Sequence, residues 1–169
     1  MHFLSVDQCE SWCEGRVDLV PARGPLPPSR LPRFARVPVE VDFAFTAGLE
    51  RALTPRDECL LWVTQSGIYR SSENLHLYYR LRQSYGDARQ LHEGPGHLFH
   101  RYESADLISF LQLGILCAWD MHVIPSDGYA RAFVSHDEFV DFAANDANPG
   151  LVDEFAAAHG GSRILSGTA

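Results

Sequence analysis

The sequence predicts a single α/β domain, in which helices flank a mixed sheet of about four or five strands, with α+β as the alternative class. Short apolar runs of strand length alternate along the chain with longer segments of helical periodicity. The length of 169 residues and the apolar fraction of 46% fit one domain with its own hydrophobic core. A segment rich in proline and arginine precedes this domain.

Composition divides the chain into four segments. Six of the ten prolines lie between positions 21 and 38. Because proline fixes φ and lacks an N–H donor, we expect an extended connector there. It would join a short N-terminal segment (1–20) to a globular domain (39–160) that ends in a flexible tail (161–169). The PxxP pattern in PLPPSRLPR leaves open an adaptor function in which this segment docks on another protein.

Local patterns predict the individual elements of the globular domain. An alternating stretch, VPVEVDF, leads into a helix that ends before Pro55. The wholly apolar CLLWVT (59–64) predicts a strand covered on both faces. Further elements are expected in the order helix, strand, helix, strand, strand: 71–87, 97–102, 104–119, MHVIP (121–125) and ARAFVS (130–135).

The stretch SHDEF (135–139) has the pattern of a helix start. Ser135 and Glu138 have the spacing of a capping box, and Val134 with Phe139 that of a hydrophobic staple. This interpretation predicts a helix after the last strand and leaves only His136 without a structural role.

The helix over SSENLHLYYRLRQSYGD (71–87) has two possible uses. Ser72 fits its N-cap, Gly86 fits its C-terminal stop, and one face would pack on the sheet through Leu77, Tyr78, Leu81 and Tyr85. Tyrosine and arginine are common at the energetic centres of protein interfaces. The candidate binding residues are therefore those outside this face and just before the helix: Tyr79, Arg80, Arg82, Tyr69 and Arg70.

Candidate catalytic residues are few and lack a known motif. LHEGPGH resembles the HExxH spacing of zinc enzymes, but its histidines are five residues apart and glycine and proline interrupt any helix. Asp120 and His122 would share one strand face and could form an acid–base pair. The weak candidates are His92, His97, Asp120, His122 and His136. We assign neither a metal ligand set nor a cofactor, and the absence of a nucleophile motif favours a protein that is not an enzyme.

The four cysteines do not form a zinc motif. Cys59 and Cys117 lie in apolar runs, and Cys9 and Cys13 have helical spacing without a second pair. We expect Cys59 and Cys117 to be small buried thiols, and Cys9 and Cys13 to share one face of a helix.

Charge is distributed unevenly along the chain. All 14 basic residues are arginine, as expected for a bacterium with a GC-rich genome. Residues 103–154 carry ten acidic residues against one arginine, Arg131. This charge would repel nucleic acid and attract a basic protein. With no basic leader and no apolar run of membrane length, a cytoplasmic location is expected.

The leading functional hypothesis is a small acidic protein-binding module that binds a basic partner or itself, in the manner of an immunity protein or antitoxin. The alternative is a hydrolytic enzyme with a histidine–carboxylate site, with or without a metal.

Overall fold

The computed structural model describes residues 1–14, 16, 33–53, 57–66, 75–127, 129–145 and 150–163. Within these residues the fold is α+β, with five helices on one open antiparallel sheet. Seven strands form the sheet, and a two-residue strand extends one edge. The strands are β1 (His2–Leu4), β2 (Arg33–Pro38), β3 (Glu58–Gln65), β4 (Gly96–His100), β5 (Asp120–Pro125), β6 (Ala130–Ser135), β7 (Phe139–Ala144) and β8 (Ser162–Arg163).

The strand order is β1-β4-β3-β5-β6-β7-β2-β8, and every neighbouring pair is antiparallel. The expected mixed sheet of four or five strands is therefore wrong in strand number and direction. A helix between two strands favours a parallel pair only when the chain crosses over and returns in the same direction. Here the chain enters β4 beside β3 in the opposite direction, and β5 then pairs with the other edge of β3.

Helices cover both faces of the sheet. On one face the main core contains residues from α2 (Phe43–Ala52), α3 (Leu75–Ser84), α4 (Ser104–Leu116) and α5 (Leu151–Ala158). On the other face, α1 (Val6–Cys13) packs against Leu60 and Trp62 of β3. This explains the continuous apolar run at 59–64, because alternate β3 side chains enter different cores.

Segments expected to lie outside the globular domain contribute to the sheet. β1 pairs with β4, and the last six residues of the predicted connector form β2. Residues 17–32, with the PxxP pattern, lie outside the described residues, as do 164–169 of the expected tail. Pro38, the last residue of β2, is compatible with a strand because strand ends tolerate proline.

The prediction of a helix that starts at Ser135 is wrong, because the residues after Ser135 form a tight turn between β6 and β7. Ser135 accepts a hydrogen bond from the Asp137 amide on its side chain (3.2 Å) and from the Glu138 amide on its carbonyl (3.2 Å). A serine that accepts hydrogen bonds from nearby backbone amides can stabilise a turn as well as the start of a helix. The residues that follow the turn form β7, which pairs with β6 and with β2.

Helix α3 exists as expected, but only part of the predicted face is buried: Tyr78 is fully buried and Leu81 packs on the main core. Gly86 ends it with φ of +82°, in agreement with the predicted stop; Ser72 lies outside the described residues. Tyr78 and Arg82 are the fully buried pair, whereas Leu77 is 43% exposed.

All four cysteines are free and buried, as expected for Cys59 and Cys117. Burial raises the pKa of the Cys9 thiol to about 12 and that of Cys13 to about 11, which disfavours the reactive thiolate. No helix within the described ranges is long and apolar enough to cross a lipid bilayer.

Candidate functional site

The predicted binding residue Arg82 lies in the core rather than on the surface. One of its terminal nitrogens, Nη1, donates to Tyr78 Oη (2.7 Å) and to the Gly94 carbonyl (2.8 Å). Its guanidinium carbon lies 4.4 Å from the centre of the Phe3 ring, and Nη2 lies 3.3 Å from Asp87. Arg82 therefore holds β1, α3 and the loop before β4 together, and it is not accessible to a partner.

The predicted catalytic residue His97 belongs to the same buried cluster. Its Nε2 lies 2.9 Å from Tyr78 Oη, and its Nδ1 lies 3.3 Å from the Leu61 carbonyl. Burial, together with the nearby Arg82 cation, lowers the pKa of His97 to about 3. His97 therefore stays neutral at physiological pH.

The two other predicted binding residues that the structure describes, Tyr79 and Arg80, differ in exposure. Tyr79 is half-buried and its hydroxyl accepts a hydrogen bond from the Leu91 amide at 3.2 Å. Arg80 is exposed on the outer side of α3. Tyr69 and Arg70 lie outside the described residues.

Two of the remaining candidate catalytic residues, Asp120 and His136, are in contact. His92 is exposed in the loop before β4, and His122 is buried against Phe133, with 4.8 Å between the ring centres. Within the part of the chain that the structure describes, no group of three or more His, Cys, Asp or Glu residues is arranged to hold a metal ion.

A pocket of about 280 Å³ lies beside the contact between Asp120 and His136. It forms where the C-terminal end of α4 meets the β6–β7 turn and the link between β2 and α2. Six of its nine lining residues are apolar, but polar groups form about half of its exposed surface. The lining residues are Val39, Val41, Ile115, Ala118, Trp119, Val134, Ser135, His136 and Glu138.

Asp120 fixes the position of His136 at this pocket. Its Oδ1 accepts from the His136 amide at 2.9 Å and lies 2.8 Å from Nδ1 of the ring. The other ring nitrogen, Nε2, lies 3.4 Å from Asp137. The hydrogen bond to Asp120, together with the charges of both carboxylates, raises the pKa of His136 and favours the imidazolium.

Two residues that line the pocket have left-handed backbone conformations. Ala118 has φ of 50° and Glu138 has φ of 63°, a region that residues other than glycine rarely adopt. Ala118 reverses the chain between α4 and β5, and Glu138 completes the β6–β7 turn. The Glu138 carbonyl accepts from the Val39 amide at 2.9 Å, which joins two sides of the pocket.

Three exposed apolar side chains lie in the pocket lining or close to it in sequence. Val41, which lines it, is 60% exposed, and Phe43, two residues further on, is 64% exposed. Leu116 is 46% exposed and follows the lining residue Ile115. We call this surface the acidic–apolar face, because carboxylates accompany the apolar groups. Its members are Val39, Glu40, Val41, Asp42, Phe43, Ile115, Leu116, Ala118, Asp137 and Glu138.

The negative charge of residues 103–154 is partly neutralised within the fold. Arg36 forms two hydrogen bonds to Asp141, of 2.6 and 2.9 Å, and His136 pairs with Asp120. Of the four carboxylates in the acidic–apolar face, two come from 103–154 and two from the link before α2, and all four are exposed. Counting charges along the sequence did not indicate that carboxylates from these two segments belong to the same face.

The sequence indicated part of the pocket but not the whole. His136 and Asp120 were both candidates, whereas the apolar walls were missed because their residues come from distant segments. The alternation in VPVEVDF was the available signal, since it places Val39 and Val41 on one side.

No protein-family model, curated protein or solved structure shows significant similarity to this chain. The function is therefore argued from the pocket and the acidic–apolar face.

Proposed function

We propose that the protein is a protein-binding module and that a basic partner protein docks on the acidic–apolar face. The observation that carries the proposal is the pocket together with three apolar residues, each more than two-fifths exposed: Val41, which lines it, and Phe43 and Leu116, which are close in sequence to lining residues. Clustered apolar side chains of this size are typical of the centre of an interface, and charged groups are typical of its rim.

Charge complementarity favours a basic partner over other occupants. Glu40 and Asp42 alternate in sequence with Val39, Val41 and Phe43, Asp137 and Glu138 belong to the turn at the pocket, and all four are exposed. A protein that presents arginine or lysine around an apolar centre would be attracted before contact and would lose little solvation at the rim. An inhibitor of a basic toxin, as an immunity protein or antitoxin is, has a partner with this chemistry.

Substitution of Phe43 provides the test. Phe43→Ser removes an apolar group that would be buried on docking, and we expect roughly a tenfold or greater loss of affinity. Tyr102→Ala is the matched control, because Tyr102 is a 79% exposed aromatic residue outside the acidic–apolar face. The partner would be isolated from the native cells with the tagged protein, and its affinity for each variant measured by calorimetry at two salt concentrations.

Specific outcomes support or contradict the proposal. A basic partner that binds the control normally, binds Phe43→Ser weakly, and binds less tightly at high salt would support it. Equal binding by both variants would exclude this face. A self-association that Phe43→Ser disperses would identify a second copy of the chain as the occupant and contradict the basic partner.

A hydrolytic function is the second candidate, favoured by the contact between Asp120 and His136. In acyl hydrolysis at a pH above the raised pKa of His136, Nε2 of the neutral ring would take a proton from water as the oxygen attacks the carbonyl carbon. The proton would then pass to the leaving oxygen as its bond to carbon breaks. If this occurs, His136→Gln abolishes hydrolysis of p-nitrophenyl acetate while His92→Gln retains it. Equal rates for both variants would exclude the reaction.

A further inference from the structure

We infer that the pocket binds one arginine side chain of the partner protein. This inference rests on the proposed docking of a basic protein and adds the identity of the group at the centre of the interface. It follows from three features of the pocket: its size, its apolar walls and the placement of its carboxylates.

The size and walls of the pocket fit a long side chain with an aliphatic stem. A volume of about 280 Å³ is at the lower limit of small-molecule sites and suits a single large side chain. Val39, Val41 and Ile115 provide apolar contacts for methylene groups, and Trp119 adds an indole. Arginine places its three methylenes on apolar surface while its charged end reaches polar groups.

The polar side of the pocket carries net negative charge. Glu138 lines it, and Asp137 lies next to Glu138 in the same turn. His136 is the cationic group here, and it contacts both Asp120 (2.8 Å) and Asp137 (3.4 Å). Asp120, Asp137 and Glu138 together bring three carboxylates to this one imidazole, so a bound cation is attracted even while the imidazole is protonated.

Guanidinium fits this arrangement better than ammonium does. Its planar group has five N–H donors, which allows contacts with two adjacent carboxylates, and it is more weakly hydrated than an ammonium group. Neutral isosteres of arginine would retain the apolar contacts but lose the attraction to the carboxylates.

The test uses small arginine derivatives as probes. N-acetyl-arginine amide would be titrated into the full chain and followed by the NMR signals of the Trp119 indole and the Ala118 amide. The comparison probes are N-acetyl-citrulline amide, which is nearly isosteric and uncharged, and N-acetyl-lysine amide. We expect the arginine probe to shift both signals, and the citrulline probe to bind at least about threefold more weakly.

A pair of variants tests the role of the carboxylate. We expect Glu138→Gln to weaken arginine binding about threefold, since it removes one exposed carboxylate. Glu154→Gln, which removes an exposed carboxylate from α5 outside the pocket, is expected to leave binding unchanged. Equal binding of arginine and citrulline, equal binding of arginine and lysine, or no effect of Glu138→Gln would each overturn the inference.

Failure of this inference is distinguishable from failure of the proposed function. If the partner docks and Phe43→Ser weakens it while the arginine probe does not bind, docking stands and the arginine assignment is wrong. If the probe binds and no partner depends on Phe43, the proposed docking is wrong and the pocket is a site for a small arginine-like ligand.

Discussion

At the scale of single residues, the most unusual feature is a fully buried arginine next to a fully buried histidine. Burial of a charge is unfavourable unless hydrogen bonds and an opposite charge compensate. Arg82 has both, through Tyr78, Gly94 and Asp87. Hydrogen bonds from Arg89, with the charge of Arg82, outweigh the effect of burial and lower the pKa of Asp87 to about 2. Asp87 is therefore ionised under physiological conditions.

The buried histidine predicts a loss of stability in acid. Because the pKa of His97 falls from 6.5 to about 3 on folding, the unfolded chain binds more protons between these values. His97 thus contributes stability that is complete above pH 6.5 and is lost as the pH falls, by about 1.4 kcal/mol per pH unit. His97→Gln is expected to reduce this dependence.

Urea unfolding between about pH 6.5 and 5 checks this prediction, because ordinary carboxylates remain largely ionised there. His92→Gln, which removes an imidazole from the exposed loop, is the control and should retain the acid sensitivity. The raised pKa of His136 acts in the opposite direction, since its contribution is lost as the pH rises. If His97→Gln and the parent protein show the same slope, His97 is not the responsible group.

At the scale of elements, local sequence patterns predicted where helices and strands form better than they predicted which residues those elements contact. Helices α2, α3 and α4 and strands β3 to β6 were expected from spacing, caps and stops. The β6–β7 turn was not, because serine, aspartate and glutamate satisfy backbone amides in turns as in helix starts. What decides between them is the pairing of β7 with β2, about 100 residues away in sequence, which local propensity cannot represent. The burial of Arg82 was missed for the same reason, since Phe3 and Gly94 come from other segments.

The left-handed residues beside the pocket predict an unusual response to glycine. Glycine adopts positive φ without the steric cost of a side chain. We therefore expect Ala118→Gly and Glu138→Gly each to raise the free energy of unfolding by about 1 kcal/mol. Ala105→Gly, at an exposed site in α4, is the control and should lower it by about 0.5–1 kcal/mol.

Thermal and urea unfolding would measure all three variants. A loss of stability on Ala118→Gly as large as that on Ala105→Gly would contradict the prediction. A gain of stability with Glu138→Gly, joined to a loss of arginine binding, would show that the chain retains a strained glutamate for its carboxylate.

At the scale of the whole molecule, the strand order could not be predicted, because it depends on contacts between segments that are distant in sequence. The N-terminal segment illustrates this most clearly. Its composition gave no sign that β1 pairs with β4 or that α1 covers the second face of the sheet. The N-terminal segment packs closely against β4 at Gly96, and only the three-dimensional structure shows this. A Cβ atom at Gly96 would lie 2.2 Å from Cys9 Sγ and 2.9 Å from the Leu4 Cβ.

This close approach predicts that Gly96→Ala destabilises the fold through the contact with the N-terminal segment. Overpacking of a well-packed core costs about 1–3 kcal/mol, and we expect a loss of that size in urea unfolding followed by tryptophan fluorescence. Trp12 and Trp62 report on this layer directly, because both lie in the cluster formed with Cys9. Cys9→Ala removes the sulfur that an alanine at 96 would meet. In the double variant the two substitutions should therefore cost clearly less than the sum of their separate effects. Additive costs would mean that the contact with Cys9 does not set the cost, which would then come from the Leu4 Cβ, 2.9 Å from the added Cβ.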